Sequence, residues 1–354
     1  MKPIRVLIVD DSPTVQLILK RILSREPDID IVGIASDPFE AKDLIIKDKP
    51  DVITLDIEMP RMDGITFLKR LMSYSPIPVV MISSYTSKNS MRTIEALEAG
   101  AVDFVTKPSQ DIERSFTSLR DEIVAKIRVA GQAQVKPLFL WRKAPTKTAK
   151  APHAISHKLI AIGASIGGPP AIRKLLCGIS FQPQGIVIAQ HMAAGYTRAF
   201  AQKLNGLLPV EVREARDMDY VDQGRVLIVP GGRHMRVVRD GDGYILRLNK
   251  ISLTQNPSIE VGRSINVLFH SVAESAGPKA VGIILTGMGK DGVDGLAAMK
   301  EAGAYTIAQD EASCVVFGMP RVAIERGIVD AVASPEDIPA ILMEQSYGQN
   351  SGNR

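Results

Sequence analysis

Residues 6–12 read Val-Leu-Ile-Val-Asp-Asp-Ser, a short apolar run followed by two adjacent carboxylates and a hydroxyl. A continuous apolar run of this length is typical of a strand that is buried on both faces of a parallel sheet. Amphipathic stretches separate it from four further runs, at Ile31–Ala35, Val52–Leu55, Val79–Ile82 and Asp103–Thr106. Five strands that alternate with helices predict a doubly wound parallel sheet for the first third of the chain.

Polar side chains end or follow four of these strands. Asp10 and Asp11 follow the first strand, and Asp56, Ser83 and Lys107 come at the ends of the third, fourth and fifth. Because the carboxyl ends of parallel strands meet at one edge of a sheet, we expect these side chains to lie close together. Three clustered carboxylates repel one another unless a cation lies among them, and such oxygens are the ligands that Mg²⁺ prefers. Taken alone, an acidic pair could be a helix cap, and a Lys-Pro pair could be a turn. The five residues together predict a site that accepts a phosphoryl group, with Asp56 as the nucleophile.

Five short motifs give this constellation a specific resemblance. They are Val-Asp-Asp-Ser (9–12), Leu-Asp-Ile-Glu-Met-Pro (55–60), Met-Asp-Gly (62–64), Ile-Ser-Ser (82–84) and Thr-Lys-Pro (106–108). Together they resemble the receiver domain of two-component response regulators, which is flavodoxin-like, and the resemblance covers residues 1–122. It implies that a histidine kinase phosphorylates Asp56 and that Mg²⁺ is needed for this step only. The implied metal ligands are Asp11 and Asp56, with Asp10 acting through a water molecule and Glu58 through its backbone carbonyl. The implied switch residues are Ser83, Lys107 and Phe104.

Residues 123–156 interrupt the alternation and are predicted to be a linker. From Gly131 to His157 the chain contains three prolines and several basic residues but no acidic residue, which is typical of an extended segment. Its charge suits either a solvated tether or nucleic-acid contact. The net charge is only +4 and no helix carries a dense basic face, so no nucleic-acid partner is expected. Alternation of strands and helices resumes over residues 157–345, before a polar tail at 346–354.

Cysteine content and hydropathy indicate in which compartment the protein is expected. Two cysteines among 354 residues cannot build a disulfide framework. No apolar run approaches the roughly 20 residues that cross a bilayer, and the first residues are strand-like rather than signal-like. A cytoplasmic protein without direct membrane insertion is therefore expected.

The second region contains a glycine-rich turn. Residues 163–168, Gly-Ala-Ser-Ile-Gly-Gly, follow an apolar strand and open a helix. Such a turn can bind a pyrophosphate, but a dinucleotide site would also require an acidic residue at the end of the next strand, which instead ends Gln190-His191. Alternatively, Ser165 is a nucleophile that the flanking glycines expose, and the helix N-terminus offers amides to an oxyanion.

The nucleophile interpretation requires a base and a group that orients it. His191 ends the next strand and Asp291 follows a third one, so all three side chains are expected at the same edge of one Rossmann-like sheet. The sequence therefore predicts a Ser165–His191–Asp291 triad, which geometry rather than chain order defines. His234, after Pro-Gly-Gly at 230–232, could line the same pocket. A zinc site is an alternative, although no paired-ligand spacing supports it.

Longer motifs in this region carry a second resemblance. They are Ile-Gly-Ala-Ser (162–165), Gln-His-Met (190–192), Pro-Gly-Gly-Arg-His (230–234), Leu-Thr-Gly-Met-Gly-Lys-Asp-Gly (285–292) and Ala-Gln-Asp-Glu-Ala-Ser-Cys-Val-Val-Phe-Gly-Met-Pro (308–320). Together they resemble the chemotaxis protein-glutamate methylesterase (CheB) family. The resemblance implies hydrolysis of glutamate methyl esters, and deamidation of selected glutamines, on methylated chemoreceptors, without a cofactor. It implies pocket roles for Ile166, His234 and Met288, the last through its backbone amide.

Two other classes of function compete with this interpretation. A DNA-binding response regulator would need a small helical output domain with a basic recognition helix, which residues 157–345 do not resemble. In a non-catalytic signalling module Ser165 would only begin a helix. The prediction is therefore a phosphorylation-activated ester hydrolase of two α/β domains, and the resemblance implies a chemotaxis histidine kinase as its phosphodonor.

Overall fold

The computed structural model describes residues 2–84, 87–107, 119–137, 159–179, 185–250 and 264–347. The chain divides into two compact units, Met1–Arg142 and Lys143–Arg354. Most of the predicted linker, at 138–156, and most of the predicted tail, at 348–354, lie outside the described residues, as does the proline of the Thr-Lys-Pro motif. In the described part of the chain, no helix is long and apolar enough to cross a membrane.

The first unit is a parallel sheet with the strand order β2-β1-β3-β4-β5, which confirms the predicted doubly wound fold. Its interior consists mainly of Val, Ile and Leu side chains from the strands, together with apolar side chains from the flanking helices. The elements are β1 (Ile4–Val9), α1 (Pro13–Leu23), β2 (Ile29–Ala35), α2 (Pro38–Asp48), β3 (Val52–Asp56), α3 (Gly64–Tyr74), β4 (Val79–Ser84), α4 (Ser87–Glu98), β5 (Asp103–Lys107) and α5 (Arg120–Ala130).

Capping side chains begin three of these helices. Ser12 accepts a hydrogen bond from the amide of Val15, and Asp37 and Asp63 each accept two amides of the first turn of α2 and α3. Such caps satisfy amides that have no partner within the helix. The caps fix the residue at which each of these three helices begins.

Helix α5 crosses the boundary that was predicted at residue 122. Ile123, Val124 and Ile127 are buried, and the helix packs against β4 and β5. Between residues 123 and 130 the charged residues are Lys126 and Arg128, and none is acidic, as in the basic linker that follows. The first unit therefore extends through the start of the predicted linker.

The second unit is a parallel sheet with the strand order β14-β13-β12-β6-β7-β9-β8, together with the two-stranded hairpin β10-β11. A doubly wound second sheet was predicted and is confirmed; the short, half-polar edge strand β8 was not predicted. Its last helix continues into the first two residues of the predicted polar tail. The elements are β6 (Leu159–Ala164), α6 (Gly168–Gly178), β7 (Ile186–Gln190), α7 (Tyr196–Leu207), β8 (Glu211–Glu214), β9 (Arg225–Ile228), β10 (Arg233–Asp240), β11 (Gly243–Lys250), α8 (Ser264–Ala276), β12 (Ala280–Ile284), α9 (Val293–Glu301), β13 (Tyr305–Gln309), α10 (Met319–Glu325), β14 (Ala331–Ala333) and α11 (Ile338–Tyr347).

The three central strands β12, β6 and β7 are entirely buried and end at the same edge. Ala164 at the end of β6 pairs with Gln190 at the end of β7. Helix α8 lies close to β6 because Gly163 has no side chain: a Cβ there would lie 2.3 Å from Ile265 Cγ2. This close approach brings the start of α8 to the edge where β6, β7 and β12 end.

Candidate active site and phosphoacceptor site

Ser165 lies in the tight turn between β6 and α6. Its amide donates to the Thr286 carbonyl (3.0 Å), and its own carbonyl accepts from the amide of Gly168 (2.9 Å). The turn requires glycine at position 167, because its φ is +76° and a Cβ would lie 2.6 Å from Val315 Cβ. The nucleophile candidate is therefore held from both sides by backbone hydrogen bonds, directly before a helix N-terminus.

His191 connects Ser165 with Asp291. Its Nδ1 lies 3.1 Å from Ser165 Oγ, and its Nε2 lies 2.7 Å from Asp291 Oδ2. A carboxylate can only accept, so Nε2 carries the hydrogen and Nδ1 is left to accept the hydrogen of the serine hydroxyl. The structure thus brings together the three side chains that were predicted as a triad, in an order of contacts that suits proton transfer from Ser165.

Asp291 also holds the start of helix α8. Its carboxylate accepts hydrogen bonds from the amides of Ile265 (3.0 Å), Asn266 (3.1 Å) and Gly292 (3.0 Å). The first two are amides at a helix N-terminus, where a negative charge is favourable. With only 5% of its side chain exposed, Asp291 has a fixed position from which it orients the imidazole.

Gln190 is a residue of this site whose role the sequence did not reveal. Its Nε2 donates to the carbonyl of Ser165 (2.9 Å) and to that of His191 (3.0 Å), and the residue is 6% exposed. One buried amide group therefore ties the backbone of the nucleophile candidate to the backbone of the base. The only hint in the sequence is an amide side chain at the end of an otherwise apolar strand.

The predicted oxyanion donors lie next to Ser165. Because the Ser165 carbonyl is turned toward Gln190, the trans peptide points the Ile166 amide in the opposite direction. Gly287 packs directly on Ser165, since a Cβ there would lie 2.6 Å from Ser165 Cβ, and Met288 follows it. Among the described residues, the amides of Ile166 and Met288 have no hydrogen-bond acceptor, as an oxyanion site requires.

His234 was also predicted to line this pocket, and Cys314 belongs to the last of the motifs in this region. His234 lies half-buried near the start of β10, opposite Asn249 of β11, and its pocket role stays a prediction. Cys314 is 3% exposed, and burial raises the pKa of its thiol to about 12. A thiol that is protonated at neutral pH is a poor nucleophile, so Cys314 does not compete with Ser165.

The first unit brings the predicted acidic residues and the lysine together at its sheet edge. Lys107 Nζ lies 2.7 Å from Asp56 Oδ2 and 2.8 Å from Asp10 Oδ2. One oxygen from each of Asp10, Asp11 and Asp56 lies within 4.8 Å of the others. Burial raises the pKa of Asp56 to about 6, against the attraction of Lys107, and it also raises the pKa of Asp10. Buried, mutually repelling carboxylate oxygens of this kind fit a hard divalent cation such as Mg²⁺.

The remaining predicted residues of this site surround the carboxylates. Ser83 is fully buried on β4, next to the strand that carries Asp56, and its hydroxyl lies 3.1 Å from Thr93 Oγ1. Phe104 is buried on β5. The carboxylate of Glu58 is half-exposed and lies 3.9 Å from an Arg92 nitrogen, which leaves its backbone carbonyl as the group predicted to bind metal.

Fold and sites together define a class of protein: a response-regulator receiver unit followed by an α/β unit with a hydrolase-type constellation of Ser, His and Asp. Comparison with known protein families agrees with both halves. Residues 6–116 match the response regulator receiver domain, and residues 160–342, more than half of the chain, match the CheB methylesterase model.

Full-length relatives share both halves. A protein of Syntrophotalea carbinolica is 49% identical, and the match covers 97% of this chain and 98% of that protein. Proteins of Pseudomonas aeruginosa and Salmonella typhimurium are 45% and 47% identical, with 99% of each chain covered. All three are named protein-glutamate methylesterase/protein-glutamine glutaminase. The chain belongs to the CheB methylesterase family.

Proposed function

We propose that this chain demethylates glutamate methyl esters, and deamidates selected glutamines, on the cytoplasmic part of chemoreceptors. Membership of the CheB methylesterase family and the names of the full-length relatives support the activity. The single observation that carries the proposed chemistry is the imidazole of His191, whose nitrogens lie 3.1 Å from the Ser165 hydroxyl and 2.7 Å from the Asp291 carboxylate.

In the proposed reaction, Ser165 Oγ attacks the ester carbonyl carbon while His191 Nδ1 takes the hydroxyl proton. The Asp291 carboxylate accepts from Nε2 and offsets the positive charge of the imidazolium that forms. The amides of Ile166 and Met288 are the proposed donors to the oxyanion. His191 then protonates the departing methoxide oxygen, which releases methanol and leaves an acyl-serine. A water molecule that loses its proton to the same nitrogen attacks the acyl carbon, and the imidazolium returns that proton to Ser165 Oγ as the glutamate side chain is released. Deamidation follows the same steps, with ammonia as the leaving group.

We infer that phosphorylation of Asp56 by a chemotaxis histidine kinase raises this activity. A receiver fused to an enzyme regulates it only if its two states affect catalysis differently. Asp10, Asp11 and Asp56 are the proposed ligands, with the Glu58 carbonyl, of a Mg²⁺ ion that supplies positive charge beside the phosphoryl oxygens. Lys107, now paired with Asp56, can transfer its hydrogen bond to a phosphoryl oxygen, and Ser83 and Phe104 are the proposed switch residues on the neighbouring strands.

Methanol release from methyl-labelled chemoreceptor membranes tests the esterase proposal. Ser165→Ala and His191→Ala should each lower the rate by roughly 10⁶-fold, as loss of one triad member does in other serine hydrolases. Ser275→Ala is a matched control, because the hydroxyl of Ser275 donates to the Val237 carbonyl (2.9 Å) and contacts no triad residue in the described part of the chain. Retention of a tenth of the wild-type rate in Ser165→Ala would contradict the nucleophile assignment.

The same assay tests regulation. Acetyl phosphate with Mg²⁺ should accelerate the wild-type chain and leave Asp56→Asn at its basal rate. Equal acceleration of both proteins would mean that the regulatory phosphoryl group is on another residue or that the receiver does not regulate the enzyme.

A further inference from the structure

A second pocket opens at the sheet edge of the esterase unit, beside the turn that follows β9. It has a volume of about 730 Å³ and is formed by helix α7, the end of β8 with the loop after it, and the turn after β9. Four arginines are among its lining residues: Arg198, Arg213, Arg216 and Arg233. Neither the proposed reaction nor its regulation uses this pocket.

The charges of the pocket do not cancel. Its lining contains two carboxylates, Glu214 and Asp217, and each of them is already paired with an arginine. Arg216 and Arg233 have no carboxylate partner among the residues that the structure describes. Two guanidinium groups are therefore left to face an external anion. The existing pairs are Arg198–Glu214 at 3.4 Å, Arg213–Asp219 at 2.8 Å and Arg247–Asp217 at 3.6 Å.

The pocket adjoins the candidate active site. The turn at Gly231 packs on the segment that follows His191, because a Cβ at Gly231 would lie 2.4 Å from the Ala194 nitrogen. Strands β6, β7, β9 and β8 are parallel neighbours, so Ser165 and the pocket lie at the same edge of the sheet. With strands about 4.8 Å apart, two to three strand spacings separate them, which is about 10–14 Å.

We propose that this pocket is an anion subsite that binds a carboxylate of the protein substrate while a neighbouring glutamyl ester lies at Ser165. The proposal rests on the proposed function. A guanidinium group binds a carboxylate through two parallel hydrogen bonds, and it does so regardless of pH because it stays charged. On a helical substrate, about 10–14 Å corresponds to roughly two turns.

The reaction itself produces the group that this subsite would bind. Hydrolysis of a methyl ester or of an amide leaves a glutamate carboxylate on the substrate. A segment that has lost one methyl group therefore carries a charge that Arg216 and Arg233 can hold while a second site is processed. The subsite would favour substrate segments with carboxylates near the ester over neutral ones.

The test compares the Arg216→Gln, Arg233→Gln double variant with Arg236→Gln. The control removes one positive charge from β10, where Arg236 pairs with Glu274 (3.0 Å) outside the pocket lining. Methanol release from methyl-labelled receptor should show a KM raised about tenfold in the double variant, with kcat little changed. The wild-type KM should rise steeply with salt, and that of the double variant much less. Hydrolysis of p-nitrophenyl acetate, which is too small to reach the pocket, reports on the triad alone.

Three outcomes would overturn the subsite. The first is an unchanged KM in the double variant, and the second is an equal rise in Arg236→Gln. The third is a parallel loss of p-nitrophenyl acetate hydrolysis, which would mean that the arginines support the triad instead. If the wild-type chain itself releases no methanol, the proposed function and the subsite are both overturned. This failure is distinguishable from the other three because it is seen in the wild-type chain, without any variant.

Discussion

Gln190→Met tests whether the buried amide positions the proposed nucleophile and the proposed base. Methionine has a similar length but donates no hydrogen bond, so the carbonyls of Ser165 and His191 both lose the donor that they share. Two buried hydrogen bonds at about 0.5–1.5 kcal/mol each predict a loss of about 1–3 kcal/mol in the free energy of unfolding. A shift of about 1 Å in a catalytic group can cost about 100-fold in rate, so we expect kcat to fall about 10- to 100-fold.

Ser271→Ala is the matched control for this experiment. Ser271 is fully buried and also makes two hydrogen bonds, accepting from the Val237 amide (2.9 Å) and donating to the Leu268 carbonyl (2.7 Å), neither of which involves the triad. Denaturant unfolding measures the stability of both variants, and kcat is measured on methyl-labelled receptor where both are folded. Similar stability losses with a fall in kcat for Gln190→Met alone would support the positioning role. A Gln190→Met enzyme within twofold of the wild-type kcat would refute it.

Three further predictions follow from the geometry of the two sites. EDTA or Asp56→Asn should each abolish labelling by a phosphodonor, and labelling that survives the substitution would place the acceptor elsewhere. The pKa of Asp56 is raised to about 6 from the ordinary 3.8, so its contribution to stability is full below about pH 3.8 and is lost as the pH rises through 6. Asp56→Asn should therefore stabilise the metal-free chain at pH 8 by up to about 3 kcal/mol in the free energy of unfolding. Denaturant unfolding measures this, and a destabilised variant would contradict it. With its pKa near 12, Cys314 should react with iodoacetamide at pH 8 only after unfolding, as peptide mapping would show, and rapid labelling of the folded chain would contradict its buried position.

The sequence predicted the fold well where structure depends on neighbouring residues. Apolar runs, such as residues 6–9, mark strands buried on both faces, and parallel topology then brings their ends to one edge. This is why residues as distant as Ser165 and Asp291 could be expected together. The same logic placed Asp10, Asp56 and Lys107 in one cluster, and the distances of 2.7 and 2.8 Å between the lysine and the two carboxylates agree with it.

Features that depend on partners distant in the chain were missed. The part of helix α5 that was predicted as linker has basic but no acidic residues, and the burial of Ile123 and Ile127 against β4 and β5 is what distinguishes it from a linker. The role of Gln190 could not be predicted, because only the structure shows the carbonyls of Ser165 and His191 beside its amide group. Strand β8 is short and half-polar, and it exists because β9 offers it an edge with which to pair.

The attachment of helix α8 to Asp291 bears on how this family can lose its activity. The proposed roles of Ser165 and His191 are chemical, so a descendant that no longer hydrolyses esters could replace either one at small cost to folding. Asp291 differs, because its removal leaves the amides of Ile265, Asn266 and Gly292 without their acceptor. Selection for folding alone would therefore preserve this aspartate after catalysis has ended. A divergent homologue that keeps an aspartate at the position of Asp291 but lacks a serine at the position of Ser165 would keep it for folding. The aspartate would then be no sign of residual esterase activity.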